Sequence, residues 1–331
     1  MLYGLLSKHI ADRFVVLIAA GFAFLLTYVL LVRPFGFLPR DGGKFVTDAK
    51  GNKVEVNKAS NGKVTGVGIL MILVFILSIL LFIPITMAYD KCFVIMLALT
   101  VVMMITGYLD DAAKAPWGEL IKGMLDFILA VIAAITFVIY NSTDVQLFSL
   151  HFHIPKVLYV ILAVALIWGS INVTNCSDGI DGLCGTLCII TLSTIYAMDK
   201  IFKIDDGFNY TILLMIIVIL VYLWYNAPDS TILMGDAGSR SLGLFIAIAM
   251  LKSGAPIMYL LVSIVLIIDG GLGLFKVSFI KVFKKNPMPN IITPVHDQCR
   301  KKSGWVNTQV VYRFSIIQII FSIIAIYLCI K

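Results

Sequence analysis

Apolar residues in this chain come in long uninterrupted runs rather than in alternation with polar ones, and the runs recur from one end to the other. Most are close to the roughly 20 residues that a helix needs to cross about 30 Å of hydrocarbon. The pattern predicts ten transmembrane helices, over residues 14–33, 67–87, 92–109, 120–140, 157–172, 183–198, 209–225, 241–252, 256–275 and 310–330. No long stretch shows the period-two alternation of barrel strands, and lipid admits only helices or closed barrels as spanning elements. An all-α polytopic membrane protein follows, with residues 1–331 as a single integral membrane domain. No small-residue cleavage site follows the first run before Arg33, so that run is expected to remain as an anchor. Between the fourth and fifth runs, 142–156 suits a short hairpin or amphipathic turn.

The polar stretches between the runs are unequal. Every second one is rich in acids, amides and glycines: 34–66, ending in "NGKVTGVGIL", then "GYLDDAAKAPWGELIKG", "NVTNCSDGIDGLCG", "WYNAPDSTILMGDAGSRSLG" and 276–309 with "PNIITPVHDQCRKKSGW". The others, 87–91, 199–208 and 252–255, are brief connections. Lys and Arg follow the same division, eighteen of 26 falling on the side of the elaborate loops, Arg240 counted among them. Positive charge marks the cytoplasmic side, which puts the elaborate loops there and both termini outside.

Composition sharpens this picture. A 60% hydrophobic chain with 14% charged residues is far from soluble usage, where about a quarter are charged. Its net charge of +7 mostly reflects the loop asymmetry, and no soluble basic face with interleaved aromatics supports nucleic-acid binding. The six cysteines lie in or beside apolar runs; Cys184 and Cys188 are one turn apart without a paired His, and read as small buried hydrophobes.

Chemistry-bearing residues concentrate in the elaborate loops. Asp110 and Asp111 are adjacent carboxylates at a helix end, which repel unless a cation neutralises them, and Lys114 and Lys122 follow closely. Carboxylates and lysines at one helix mouth suit a phosphate with its metal. In "NVTNCSDGIDGLCG" two Asp-Gly turns precede a helix whose first amides suit an anion or a polar ring, and either Asp178 or Asp181 could instead cap that helix. In "MGDAGSRSLG", Gly235 and Gly238 allow close backbone approach, and Asp236 offers oxygen to a hard cation such as Mg²⁺. Ser239 and the amides from Gly238 onward suit phosphate. His296 shares its side of the membrane with these clusters. Asp126 and Asp269 fall inside spans, where acids are costly; Asp269 suits helix packing or pocket lining better than proton carriage.

"GYLDDAAK", "NVTNCSDGIDGL", "LWYNAPDSTILMGDAGSRSLG" and "TPVHDQCRKKSGW" followed by "VVYRFSIIQII" resemble, in order and spacing, the polyprenyl-phosphate sugar-1-phosphate transferases. The "LWYNA" lead and the Gly304-Trp305 ending are similar to the phospho-N-acetylmuramoyl-pentapeptide transferase branch. The resemblance covers about residue 58 to the C-terminus. It implies transfer of phospho-MurNAc-pentapeptide from UDP-MurNAc-pentapeptide to undecaprenyl phosphate in the bacterial cytoplasmic membrane, giving lipid I and UMP. It further implies a Mg²⁺ requirement and a homodimer.

Carried over residue by residue, the resemblance implies that Asp110 and Asp111 are an essential pair, with Asp110 orienting or deprotonating the lipid phosphate. Asp236 would bind Mg²⁺, with Asp110 and Asp111 as further candidate ligands, and Lys114 and Lys122 would hold phosphates. Asn172, Asn175, Asp178, Gly179 and Asp181 match the nucleotide-side motif, with Asp178 placed to meet uracil. His296 matches the first of three consecutive histidines in the branch, the next two positions being Asp297 and Gln298. Leu233 stands where the branch has an aromatic, and a Gly-Thr-Pro-Thr-Met-Gly-Gly element is represented by "GKVTGVG", which keeps Gly62, Thr65 and Gly68. These departures leave a sister activity with UDP-GlcNAc as an alternative donor preference. Asp126 and Asp269 are the only support for a transporter, which would place acids at mid-bilayer on broken helices.

Overall fold

In a computed structural model of the chain, residues 2–330 are described apart from 34, 43–44, 48–52, 56–61, 85–86, 88–89, 114, 116, 149 and 205. After a single turn, α1 (Tyr3–Leu6), come α2 (Asp12–Val32), α3 (Gly68–Phe82), α4 (Lys91–Asp111) and α5 (Glu119–Tyr140). Next are α6 (Lys156–Cys176), α7 (Leu183–Phe202), α8 (Asp206–Asn226) and α9 (Gly235–Lys252). The chain closes with α10 (Tyr259–Val262), α11 (Ile264–Phe283), α12 (Val295–Lys301) and α13 (Asn307–Cys329). Two antiparallel hairpins accompany them: β1 (Phe45–Thr47) with β2 (Lys53–Glu55), and β3 (Asp144–Leu147) with β4 (Leu150–His153). The second is the hairpin expected within 142–156, and Gln146 N–H ties it to the Gly254 carbonyl at 2.8 Å.

Among the described residues seven helices are long and apolar enough to cross a membrane, or eight if a bent pair is one span. Helices occupy all ten expected positions, but α3 has only 15 residues and α9 carries Asp236, Arg240 and Lys252, so neither meets that criterion. The expected span 256–275 is broken. A 3₁₀ turn at Pro256–Met258 and α10 meet α11 at 88°. A break at membrane depth exposes backbone groups that lipid cannot satisfy. Here the buried Gln318 of α13 meets them, its Oε1 accepting from Val265 N–H at 3.1 Å and its Nε2 donating to the Val262 carbonyl at 2.7 Å.

The helix α9 is the hub. From Ala237 to Leu251 every residue is buried, as expected of a helix enclosed on all sides rather than facing lipid. Small residues allow its neighbours to approach closely: a Cβ on Gly107 of α4 would lie 2.5 Å from the Asp236 carbonyl carbon, and one on Gly243 2.6 Å from Ile171 Cα of α6. Cys184 and Cys188 are buried and unbridged, their sulfurs 4.0 Å apart.

Arg240 belongs inside this hub, which corrects its assignment to a cytoplasmic loop. It is buried in α9, with Nε donating to Asp126 Oδ1 of α5 at 3.0 Å and Nη2 donating to the same oxygen. A cation five residues into a helix that begins at Gly235, and 1% exposed there, is shut off from the aqueous loop and pairs with an acid within the bundle.

Candidate active site

The site is assembled where α9 begins. Segments 62–68 and 230–236 run side by side through a parallel bridge between Val64 and Ile232. Leu233 N–H donates to the Val64 carbonyl at 2.8 Å, and Gly68 N–H to the Met234 carbonyl at 3.0 Å. This sets the start of α3 against the start of α9 so tightly that a Cβ on Gly68 would lie 2.1 Å from Gly238 N. Gly235 adopts φ +66°, and a Cβ there would lie 2.4 Å from Asp111 Oδ2. Only glycine meets both demands cheaply.

Asp111, the last residue of α4, supplies the cap that α9 lacks from its own chain. Its Oδ1 accepts from Asp236 N–H at 3.0 Å and its Oδ2 from Ala237 N–H at 3.1 Å, whereas Met234 at the N-cap makes no side-chain cap bond. A carboxylate at this end also complements the helix dipole. Ser239 and the amides from Gly238 onward, expected at a phosphate, lie inside α9 behind this cap. The helix starts at Gly235, Asp111 takes its first amides, and Ser239 is buried with its hydroxyl donating to the Gly235 carbonyl at 2.9 Å.

Asp110 has a different role in space. It is buried, accepts from Trp117 N–H at 2.6 Å, and pairs with Lys122 of α5. The same Lys122 ammonium lies 3.1 Å from Asp236 Oδ2. One cation thus joins two acids contributed by two helices, while Asp111 fixes the backbone that carries one of them. Among the described residues no three His, Cys, Asp or Glu side chains are grouped to hold a metal by themselves. Asp110 and Asp236 nevertheless have the donor chemistry of a Mg²⁺ site, since that ion commonly takes one or two carboxylates and completes its shell with substrate oxygens and water. The ammonium between them marks a position where their combined charge favours a cation.

The Asp-Gly loop after α6 forms a second cluster. Asp181 Oδ2 lies 3.1 Å from Lys63 Nζ and accepts from Ser230 N–H at 3.1 Å, and Lys63 also donates to Ser230 Oγ at 2.8 Å. Neither Asp178 nor Asp181 caps α7: its N-cap is Gly182, at φ +81°, whose N–H donates to Asn226 Oδ1 at 2.9 Å. Both acids are half-buried and Gly179 is exposed. Asn175 lies half-buried in the last turn of α6, and Asn172 donates back to the Trp168 carbonyl of its own helix at 2.8 Å.

His296 joins this loop from α12. It is buried, with Nδ1 2.9 Å from Asp269 Oδ2 and its N–H donating to Asp269 Oδ1 at 2.8 Å. Donation from Nδ1 to the carboxylate leaves Nε2 as the free ring atom. That atom faces the Asp-Gly loop, since a Cβ on Gly179 would lie 2.5 Å from it. Asp269, fully buried in α11, directly supports His296.

Asp110, Asp111, Lys122 and Asp236 are brought into one cluster, and Asp181, Gly179 and His296 into the adjoining loops. Thr65 is half-buried, its N–H donating to the Pro39 carbonyl at 2.9 Å. Lys114 lies outside the described residues. Lys63, Asn226 and Ser230 were not singled out as site residues from sequence. Lys63 resembled one more loop cation, and only its cross-chain partners distinguish it.

Comparison with known proteins adds an independent line. Residues 93–254 match the family model described as glycosyl transferase family 4. A protein named phospho-N-acetylmuramoyl-pentapeptide-transferase from Treponema pallidum (strain Nichols) is 35% identical over 322 residues, covering 90% of this chain and 84% of the relative. Proteins of the same name from Rickettsia prowazekii (strain Madrid E) and Wolbachia pipientis wMel are 28% and 26% identical, the former over 98% of both chains and the latter over 78% of this chain and 82% of the relative.

Proposed function

The chain belongs to the phospho-N-acetylmuramoyl-pentapeptide-transferase family, and on that premise we propose that it transfers phospho-MurNAc-pentapeptide from UDP-MurNAc-pentapeptide to undecaprenyl phosphate. The products are lipid I and UMP. The observation that carries this reading is the single ammonium of Lys122 between Asp110 and Asp236 at the capped start of a buried helix.

In the reaction an oxygen of the lipid phosphate attacks the β-phosphorus of the UDP-sugar. The bond from that phosphorus to the oxygen bridging to the α-phosphate breaks, and UMP departs with the electron pair. One phosphoanhydride is exchanged for another, so the demand on the protein is positioning and charge neutralisation. Lys122 meets the charge that accumulates on the diphosphate. Asp110, held by Trp117 N–H, orients the incoming lipid phosphate. Asp178, Asp181 and their loop face the nucleotide, and Lys63 fixes Asp181 there. His296, oriented by Asp269, presents Nε2 to the same loop. When Mg²⁺ is bound, Asp236 and Asp110 would hold it, and it supplies further neutralisation of the diphosphate.

The finer parts of the proposal are that both termini lie outside, that the site opens at the inner face of a bacterial cytoplasmic membrane, that ten helical segments cross or enter it, and that the protein works as a homodimer. The direct test uses purified protein with Mg²⁺, undecaprenyl phosphate and UDP-MurNAc-pentapeptide. The expected result is UMP release in step with a lipid-linked product, abolished by EDTA and restored by Mg²⁺. No product from that donor, with turnover of UDP-GlcNAc, would transfer the assignment to the sister activity; undiminished turnover in EDTA would remove the metal.

A further inference from the structure

Arg240 and Asp126 lie beside the acid cluster, and the reaction described above uses neither. Lys122 and Asp126 are four residues apart on α5, and Asp236 and Arg240 are four apart on α9, so each pair occupies one face of its helix a turn apart. Two ion pairs therefore cross between the same two helices with alternating sign. At the mouth Lys122 meets Asp236 at 3.1 Å; one turn further in, Arg240 Nε meets Asp126 at 3.0 Å. The inner pair is almost sealed, with side chains 1% and 3% exposed.

A buried pair is a poor source of stability, because desolvation of both charges offsets their attraction. This one is also incompletely satisfied: Arg240 Nη1 is buried with no hydrogen bond among the described residues. Its value is therefore sought in the charges beside it. Asp126 interacts electrostatically with Lys122 and Asp236 as well as with Arg240. Without the guanidinium, Asp126 is a buried carboxylate, and the remaining cation acting on it is Lys122, on a flexible stem one turn away on the same helix.

We infer that Arg240 is a positioning residue: by occupying Asp126 it keeps Lys122 committed to Asp110 and Asp236, where the donor diphosphate is neutralised. The inference rests on the proposed role of Lys122 at that diphosphate.

The test compares wild-type protein, Arg240→Met and the double variant Asp126→Asn/Arg240→Met for UMP release, with KM measured separately for the UDP-sugar and for undecaprenyl phosphate. Arg240→Met is expected to raise the UDP-sugar KM by about tenfold or more and to lower kcat, leaving the lipid KM unchanged. The double variant, having no buried acid to draw Lys122 away, is expected to return the UDP-sugar KM to within about threefold of wild type. A merely structural pair would lower the active fraction in both variants without moving either KM. A folded Arg240→Met protein with wild-type UDP-sugar KM overturns the inference, as does a double variant that keeps the raised value. If Arg240→Met does not fold, Arg240→Gln replaces it: a raised UDP-sugar KM in Arg240→Gln that the double variant restores supports the inference, and a wild-type KM in Arg240→Gln or a raised one in the double variant overturns it. Wild-type protein inert toward UDP-sugars would overturn the proposed reaction and this inference together, whereas an active wild type with unrestored variants overturns only the inference.

Discussion

Asp110 and Asp111 are neighbours in sequence, yet their surroundings predict separable defects. Asp111→Asn leaves one acceptor oxygen where the carboxylate uses two, at 3.0 Å to Asp236 N–H and 3.1 Å to Ala237 N–H. The new amide NH₂ is then set against a buried N–H, and the negative charge at the helix start is lost. A hydrogen bond to a charged group contributes about 1.5–3 kcal/mol and the dipole interaction about 0.3–1, so the cost is on the order of 2–4 kcal/mol. Asp110→Asn keeps an oxygen for Trp117 N–H and leaves Lys122 with Asp236, so its stability should stay within about 1 kcal/mol of wild type. Its kcat should nevertheless fall at least about 100-fold, as expected when a charged group is removed from a preorganised site. Unfolding of detergent-purified variants, followed by loss of helical circular dichroism, measures the first quantity and UMP release the second. An Asp111→Asn protein that unfolds like wild type while losing all activity would refute this division and make Asp111 a reacting group.

Lys122→Met should lower kcat by about 10²–10³-fold, measured by UMP release, because it removes the ammonium that joins Asp110 and Asp236. Gly235→Ala should destabilise the protein by about 1–3 kcal/mol in the same unfolding assay, since φ +66° is strained for Ala and its Cβ would crowd Asp111 Oδ2 at 2.4 Å. Gln318→Leu should cost about 1–3 kcal/mol by orphaning Val265 N–H, the Val262 carbonyl still accepting from Thr191 Oγ1 at 3.1 Å, with protease susceptibility at the α10–α11 break as the local readout.

Much of the helical framework was legible because membrane helices announce themselves as continuous apolar runs, and helices stand at each expected position. The break at Ser263 was not, because "PIMYLLVSIVLII" is almost continuously apolar and the Gln318 amide that satisfies the broken backbone lies in another helix. The acids of the site stood out in sequence because polar groups beside lipid are conspicuous. Their division of labour did not, since it depends on which backbone amides each carboxylate meets. Arg240 was misassigned for a related reason: counting charges locates loops only where the charge lies outside a helix, and its partner Asp126 is 114 residues away. Lys63 was likewise read as loop charge, its link to Asp181 spanning 118 residues.

The amide of Gln318 that closes the bend between α10 and α11 carries a consequence for biogenesis. It follows Val265 by 53 residues, so on the ribosome the bent segment is synthesised and delivered to the membrane before its staple exists. Until the final helix is inserted, Val265 N–H lacks this acceptor, whereas the Val262 carbonyl already receives Thr191 Oγ1 from α7. Chains truncated before α13 would therefore keep a buried Val265 N–H without its Gln318 acceptor at the corner.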